Sequence, residues 1–123
     1  SNLNVEEYSC YAFPALKALE ALLLDLLNQK GISVNPPKQN FGSVFVPGQP
    51  QHVLSPANQA KVNDATYQKC LEDIYDYFKK QRHTRFHANQ VLVLTTLIFD
   101  KAEADAIISD VLAIIDDTAK KIM

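Results

Sequence analysis

The stretch AFPALKALEALLLDLLNQK, residues 12–30, decides the fold, because its apolar side chains recur at the spacing of an α-helix. On a helical projection its leucines fill an arc of roughly 140°. Pro14 suits a first helical turn, and Gly31 follows as a stop. The leucines are Leu16, Leu19, Leu22, Leu23, Leu26 and Leu27. The pattern predicts a long amphipathic helix that buries one face, with Lys17 and Glu20 at its border.

A second helical segment follows later in the chain. It is expected to begin near Ser55, which suits an N-cap before Pro56, and to break near Asn63–Asp64. Its strongest part begins at Thr66 and has one apolar face. That face consists of Tyr67, Cys70, Leu71, Ile74, Tyr77 and Phe78.

A third helix is predicted from the cap pattern that begins at Asp100, and it continues to Ile122. Its apolar residues are Ile107, Ile108, Val111, Leu112, Ile114, Ile115 and Ile122, and its other face carries Asp105, Asp110, Asp116, Asp117 and Lys120. The stretch ANQVLVLTTLIF, residues 88–99, is compatible with a strand, and we favour a loop with a short helix there.

The connection between the first two helices, residues 31–57, holds all three glycines and most of the six prolines, so an irregular path is expected. Phe41, Val44, Phe45 and Val46 are apolar enough to dock on the core, with a short hairpin allowed around them. With long helices dominating, the sequence predicts an all-α fold: a small helical bundle with a long proline-rich connection between its first and second long helices.

The length and composition of the chain exclude several classes of protein. A chain of 123 residues with 47% apolar residues fits one domain, residues 1–123. No glycine-rich phosphate loop is present, and the longest strongly apolar run, residues 91–99, is too short to cross a bilayer. Cys10 and Cys70 form no C-x-x-C motif. We therefore expect a cytoplasmic protein without membrane association.

Charge is concentrated in one place. The formal net charge is -2, yet residues 79–87, KKQRHTRFH, carry four fixed cations, two histidines and no acid. The apolar stripe through Ile74 and Phe78 continues into Arg82 and Arg85. Because burying unpaired charges is expensive, these arginines should emerge at the end of the bundle, or face a second subunit or an anionic ligand.

Residues 82–87, RHTRFH, resemble the Arg-polar-x-x-x-His motif of HEPN domains, small helical bundles of which many are metal-independent ribonucleases. The wider context, FPALKALEALLLDLLNQKGI, then FGSVF, then YDYFKKQRHTRFHA, resembles the C-terminal HEPN domain of RNase LS-type (RnlA-like) toxins of bacterial toxin–antitoxin or phage-defence systems. The resemblance covers nearly the whole chain. It implies an RNA endonuclease that a cognate antitoxin silences, within a longer toxin chain of which these residues form a C-terminal part.

The resemblance also implies roles for particular residues. Arg82, His87 and Glu20 match catalytic positions, and Lys17 stands where an arginine would be the stronger phosphate ligand. Cleavage of RNA through its own 2′-hydroxyl needs a proton-exchanging group, such as His87, and a cation on the phosphate, such as Arg82, and it needs no metal or other cofactor. The expected ligands of RNA phosphates are Arg85, Lys79, Lys80, Lys17 and His83.

The spacing within the motif predicts a homodimer. His87 follows Arg82 by five residues, which is about 140° around a straight helix. The two side chains therefore meet one phosphate only if the helix bends or if a second copy related by a dyad supplies the other half.

Other interpretations of these residues remain open. Arg82 could pair with Glu20 or with an acid of the last helix, His87 could be a surface histidine, and Glu20 an ordinary border residue. His83 and His87 have the spacing of a metal pair, but the nearby cations disfavour a metal ion. For the whole chain, the alternative is a non-catalytic HEPN module that serves dimerisation and antitoxin binding.

Overall fold

A computed structural model of the chain describes residues 5–34, 41–85 and 101–123, and helices dominate these ranges. The elements are α1 (Val5–Gln29), a 3₁₀ turn (Phe41–Ser43), β1 (Phe45–Val46), β2 (Val53–Leu54), α2 (Pro56–Val62), α3 (Ala65–Arg85) and α4 (Lys101–Ile122). The predicted all-α bundle with a long connection after the first helix is confirmed. The expected cap at Asp100 and residues 88–99 lie outside the described residues.

Helix α1 ends as predicted but begins earlier. It starts at Val5, and Pro14 lies inside it rather than in its first turn. Glu6 and Glu7 lie in the first turn of this helix, where the helix dipole favours acidic residues. At the other end Gly31 has φ 76°, and the Ile32 amide donates to the Leu27 carbonyl at 2.9 Å. This is the left-handed glycine stop that the sequence predicts.

The connection folds back as a small hairpin on the core. Strands β1 and β2 pair antiparallel, with Phe45 opposite Leu54. Phe41, Val44 and Phe45 are buried, as expected, and Phe45 stacks on Tyr75 of α3 with ring centroids 4.2 Å apart. The partner strand β2 was not predicted from the sequence.

The predicted break between α2 and α3 is confirmed. Asn63 adopts a left-handed conformation with φ 47°, and the Asp64 carboxylate then accepts the Tyr67 amide at 3.0 Å. Ser55 stands at the N-cap position of α2, but its side chain does not cap the backbone. Its hydroxyl instead accepts a hydrogen bond from the Asn58 side chain at 2.9 Å. The predicted N-cap position of Ser55 and the start of the helix are therefore confirmed, while the Ser55 side chain makes no capping bond.

Helices α1, α3 and α4 pack around one core, with α3 antiparallel to both neighbours. Tyr67, near the start of α3, donates to the Leu26 carbonyl near the end of α1 at 2.7 Å. Tyr77, further along α3, donates to the Asp110 carboxylate in the first half of α4 at 3.1 Å. The fully buried aliphatic residues shared by α1, α3 and the hairpin are Leu19, Leu23, Leu27, Leu54, Leu71 and Ile74.

One apolar residue of α4 departs from the expected core face. Ile107 and Val111 are buried, but Leu112 is 62% exposed. Leu112 lies about 100° around the helix from Val111, beyond the arc that α1 and α3 cover. The acidic residues predicted for the opposite face are exposed. None of the described helices combines the length and apolar content that a membrane crossing needs.

Candidate functional site

The basic region forms the last turns of α3. The helix runs without a break from Ala65 to Arg85, so the backbone of Arg82, His83 and Arg85 is helical. Phe78, one turn before Arg82, is only 5% exposed and belongs to the core. The stripe of buried residues therefore leads directly to Arg82. The side chains of Arg82, His83 and Arg85, and the whole of His87, lie outside the described residues.

The predicted site residues of α1 form a pair of their own. The Lys17 ammonium lies 3.3 Å from the Glu20 carboxylate, three residues along the helix. The Glu20 side chain is 19% exposed and that of Lys17 is 48% exposed. Both stand at the border of the buried face, as the sequence predicts, and the pairing partly neutralises the Lys17 charge.

The helix directions relate Glu20 to Arg82. Both residues lie on the same side of the contact between Tyr67 and the Leu26 carbonyl, because α1 and α3 are antiparallel. At 1.5 Å per residue, Glu20 stands about 9 Å from Leu26 along α1, and Arg82 about 22 Å from Tyr67 along α3. Arg82 therefore lies closer than Glu20 to the end of the bundle at which α1 begins.

A cleft of about 340 Å³ lies beside the basic end of α3. Its walls come from the turn between β1 and β2 and from one face of α3. The lining residues are Gly48, Pro50, Gln51, His52, Asp76, Lys79 and Lys80. Two of the predicted phosphate ligands, Lys79 and Lys80, thus line one cleft.

His52 is the residue of this cleft that the sequence analysis missed. The Lys79 ammonium lies 3.1 Å from Nε2 and 3.3 Å from Nδ1 of the His52 ring. The ring also contacts Tyr75 edge-on, with centroids 5.9 Å apart. No sequence pattern signals this contact, because it joins residues 27 positions apart across the hairpin and α3.

The two lysines of the cleft differ in their surroundings. The Lys80 ammonium pairs with the Asp76 carboxylate at 3.0 Å. Among the described side chains, no carboxylate lies within ion-pair distance of Lys79, and its ammonium contacts the imidazole of His52 instead. The cleft therefore keeps an uncompensated positive charge at Lys79, which suits an anionic group.

A buried carboxylate, also missed from the sequence, holds the hairpin against α3. Glu72 is 7% exposed and accepts the backbone amide of Leu54 at 2.8 Å and the Gln68 side chain at 2.9 Å. The Gln51 amide donates to the Asp73 carboxylate at 2.8 Å. These bonds on either side of His52 fix the turn that carries it.

The described part of the chain shows neither an exposed thiol nor a cluster of metal-binding side chains. Cys70 is buried, and this burial raises the pKa of its thiol, which makes it unreactive and consistent with core packing. Within residues 14–34, 41–81 and 102–123, no three His, Cys, Asp or Glu side chains come together as a metal site. The possible His83 and His87 pair lies outside the described residues.

Comparisons with known proteins now define the class: a domain of a bacterial toxin. Residues 1–89, which include the whole motif at residues 82–87, match the family described as RNase LS, bacterial toxin DBD domain. The chain belongs to this family, which confirms the resemblance to RNase LS-type toxins.

Within this class, the chain is similar to the toxin LsoA both in sequence and in structure. The chain is 31% identical over 116 residues to the mRNA endoribonuclease LsoA of Escherichia coli O157:H7, a match that covers 94% of this chain and 32% of the relative. Its fold is similar to that of the Escherichia coli toxin LsoA in a complex with the T4 phage antitoxin Dmd. That similarity has a TM-score of 0.76 and 28% identity, and covers 100% of this chain and 47% of that chain. The chain thus spans about a third of the length of the curated relative.

Proposed function

We propose that this chain is the HEPN-type catalytic domain of a cytoplasmic toxin, and that it cleaves RNA without a metal ion by using the substrate's own 2′-hydroxyl. The observation that carries the proposal is the similarity to the mRNA endoribonuclease LsoA along 94% of the chain. The Arg-His motif lies within the residues that match the toxin family. On this proposal, residues 1–123 are one domain of a longer toxin chain.

The proposed chemistry divides between two residues of the motif. His87 moves a proton at the 2′-hydroxyl or at the leaving oxygen, since an imidazole exchanges protons near neutral pH. Arg82 holds the phosphate oxygens, on which negative charge grows in the transition state. A guanidinium suits this task because it stays charged and offers paired donors. Arg82 lies one helical turn after the buried Phe78, and this supports the role because the packing of Phe78 in the core holds that part of the helix in place.

Glu20 is proposed to orient Arg82 or His87, or to share in proton transfer. The support for this role is the resemblance to the family, together with the pair with Lys17, which brings a cation to the same border. Arg82 stands about 13 Å beyond Glu20 along the bundle axis, so the position of Glu20 does not by itself favour a direct contact with Arg82 within one copy. The phosphate-binding roles are assigned to Arg85, Lys79, Lys80, Lys17 and His83. The uncompensated charge of Lys79 makes it the best supported of these ligands.

The active unit is proposed to be a C2 homodimer, because the 140° between Arg82 and His87 on a straight helix separates them within one copy. A mixture of Arg82→Ala and His87→Ala proteins tests this composite site. If each phosphate is held between two copies, mixed dimers should regain RNA cleavage that neither variant has alone. Cleavage that stays absent in the mixture, with dimers confirmed by sedimentation, would place each site within one copy.

A cognate antitoxin is the proposed protein partner. The support is the structural neighbour, in which LsoA is in a complex with the antitoxin Dmd, and that similarity covers all of this chain. The same observation favours a second candidate function, a non-catalytic module for dimerisation and antitoxin binding. Because the chain corresponds to 32% of the length of LsoA, the chemistry could then reside in another part of the toxin.

Induced expression of the full toxin separates the two candidates. We measure growth and the integrity of cellular RNA for wild type, Arg82→Ala and His87→Ala, expressed at equal protein level. The catalytic proposal expects growth arrest and RNA decay with the wild type and neither with the variants. Lys120→Ala, which changes an exposed lysine of α4, is the matched control and should remain toxic. Toxicity that persists in both motif variants would favour the non-catalytic module.

A further inference from the structure

In the cleft between the hairpin and α3, Lys79, already proposed as a phosphate ligand, lies against His52, a side chain to which neither the sequence nor the relatives assign a role. His52 comes from the turn between β1 and β2, and Lys79 from α3, and their nitrogens approach to 3.1 Å. We propose that His52 and Lys79 together clamp a backbone phosphate of single-stranded RNA next to the one that is cut. This inference rests on the proposed function for the identity of the strand.

The donors of the pair suit a phosphate. An ammonium has three donors and no acceptor, and that of Lys79 lies within 3.3 Å of both ring nitrogens of His52. The ammonium hydrogens and a ring nitrogen that carries a proton are all donors. Phosphate oxygens are acceptors only, so one phosphate satisfies donors from both elements at once.

The position of the clamp favours an RNA strand over a free nucleotide. Lys79 and Arg82 are three residues apart on α3, which places them about 5–6 Å apart at Cβ on neighbouring turns. A strand that runs along this end of α3 would meet the clamp and then the motif. The pair between Lys80 and Asp76 bounds the cleft without adding net charge. Its lining also includes Gly48 and Pro50 and offers no large apolar wall for a base.

The turn that carries His52 is held in place before any ligand arrives. Gln51 donates to the Asp73 carboxylate at 2.8 Å, and Leu54 donates to the buried Glu72. The His52 ring rests edge-on against Tyr75, which stacks on Phe45 of β1. Because these contacts fix the ring, little conformational freedom is lost when a phosphate binds, and the clamp gains affinity from this preorganisation.

Binding of a fully 2′-O-methylated RNA oligonucleotide tests the clamp, because this probe lacks the free 2′-hydroxyl that cleavage needs. Its affinity for the purified full-length protein is measured across a salt series. Lys79→Ala should weaken binding about tenfold and reduce the slope of log K against log salt by about 0.7, the effect of one phosphate contact on a single strand. His52→Ala should weaken binding about threefold to fivefold and change the slope less than Lys79→Ala does, because an imidazole is not a fixed cation.

Three further variants separate the clamp from a general effect on folding. His52→Gln, which keeps a donor and an acceptor, should recover part of the affinity that alanine loses. Asp76→Asn should strengthen binding, because it removes a negative charge from the cleft wall. Lys120→Ala, on α4 and outside the cleft, should change neither affinity nor slope. A DNA oligonucleotide of the same sequence should show the same ratios, because phosphate contacts do not involve the 2′-hydroxyl.

The outcomes distinguish this inference from the proposed function. Wild-type affinity and slope in both His52→Ala and Lys79→Ala would overturn the clamp, whatever the motif variants do. Displacement of the oligonucleotide by micromolar adenosine monophosphate would also overturn it, in favour of a mononucleotide pocket. RNA cleavage at the wild-type rate by Arg82→Ala would instead refute the proposed active site, while the binding ratios at His52 would still decide the clamp.

Discussion

Replacing Glu72 by alanine should destabilise the fold far more than the loss of a helical glutamate normally does. The carboxylate is 7% exposed and accepts the Leu54 amide at 2.8 Å, and Leu54 itself is 0% exposed. In the alanine variant this amide would have neither a partner nor access to water. A hydrogen bond to a charged group contributes about 1.5–3 kcal/mol, and an orphaned buried donor costs about 1–3 kcal/mol. Because these two figures describe the same contact, they are not added, and we expect the free energy of unfolding to fall by about 2–3 kcal/mol.

Glu72→Gln is the matched variant. It keeps the shape of the side chain and one oxygen that can accept the Leu54 amide, so it should cost about 1 kcal/mol. Urea unfolding followed by far-UV circular dichroism gives both free energies, and hydrogen exchange at the Leu54 amide reports the bond directly. A loss below about 0.5 kcal/mol for Glu72→Ala, with Leu54 still protected, would refute the reasoning. So would a Gln variant as unstable as the Ala variant.

Other predictions concern the core and its surface. Tyr67→Phe removes the donor to the Leu26 carbonyl and should cost about 1–2 kcal/mol in urea unfolding. Burial, and then the nearby Asp25, raises the pKa of Tyr67 above its ordinary value of 10.0, so its neutral form favours the fold. Its contribution to stability is thus complete below about pH 10 and declines at higher pH, and an alkaline absorbance titration of Tyr67→Phe should lack one tyrosine transition from the range above pH 10. Leu112→Ser should change the stability of the single copy by less than about 0.5 kcal/mol, whereas Leu71→Ala should cost about 3 kcal/mol.

The helices were predictable because their periodic residues are also the buried ones. The leucine stripe of α1 and the stripe from Tyr67 to Phe78 in α3 each carry enough repeats to define a face. The hairpin was harder to predict, because β1 and β2 have two residues each and so contain no period. The start of α1 was predicted too late because Pro14 suits a first turn, whereas the helix begins at Val5 and contains Pro14.

The candidate site was also only partly predictable from the sequence. A cluster of cations at residues 79–85 is visible in one stretch of sequence, and the structure places Lys79 and Lys80 in one cleft. His52 and Glu72 were missed because their roles depend on contacts 27 and 18 positions away. On a helix a glutamate is usually solvated, and only the docked hairpin buries Glu72.

The most direct test of the central claim is the end group that cleavage leaves on RNA. The full toxin is incubated with an oligoribonucleotide in excess EDTA, and the products are analysed by mass spectrometry. The account predicts cleavage that survives the chelator, a cyclic 2′,3′-phosphate at the cut, no cleavage of the all-deoxy analogue, and loss of product with His87→Ala. Cleavage that stops in EDTA and returns with a divalent metal ion, or a cut in the all-deoxy strand, would contradict it.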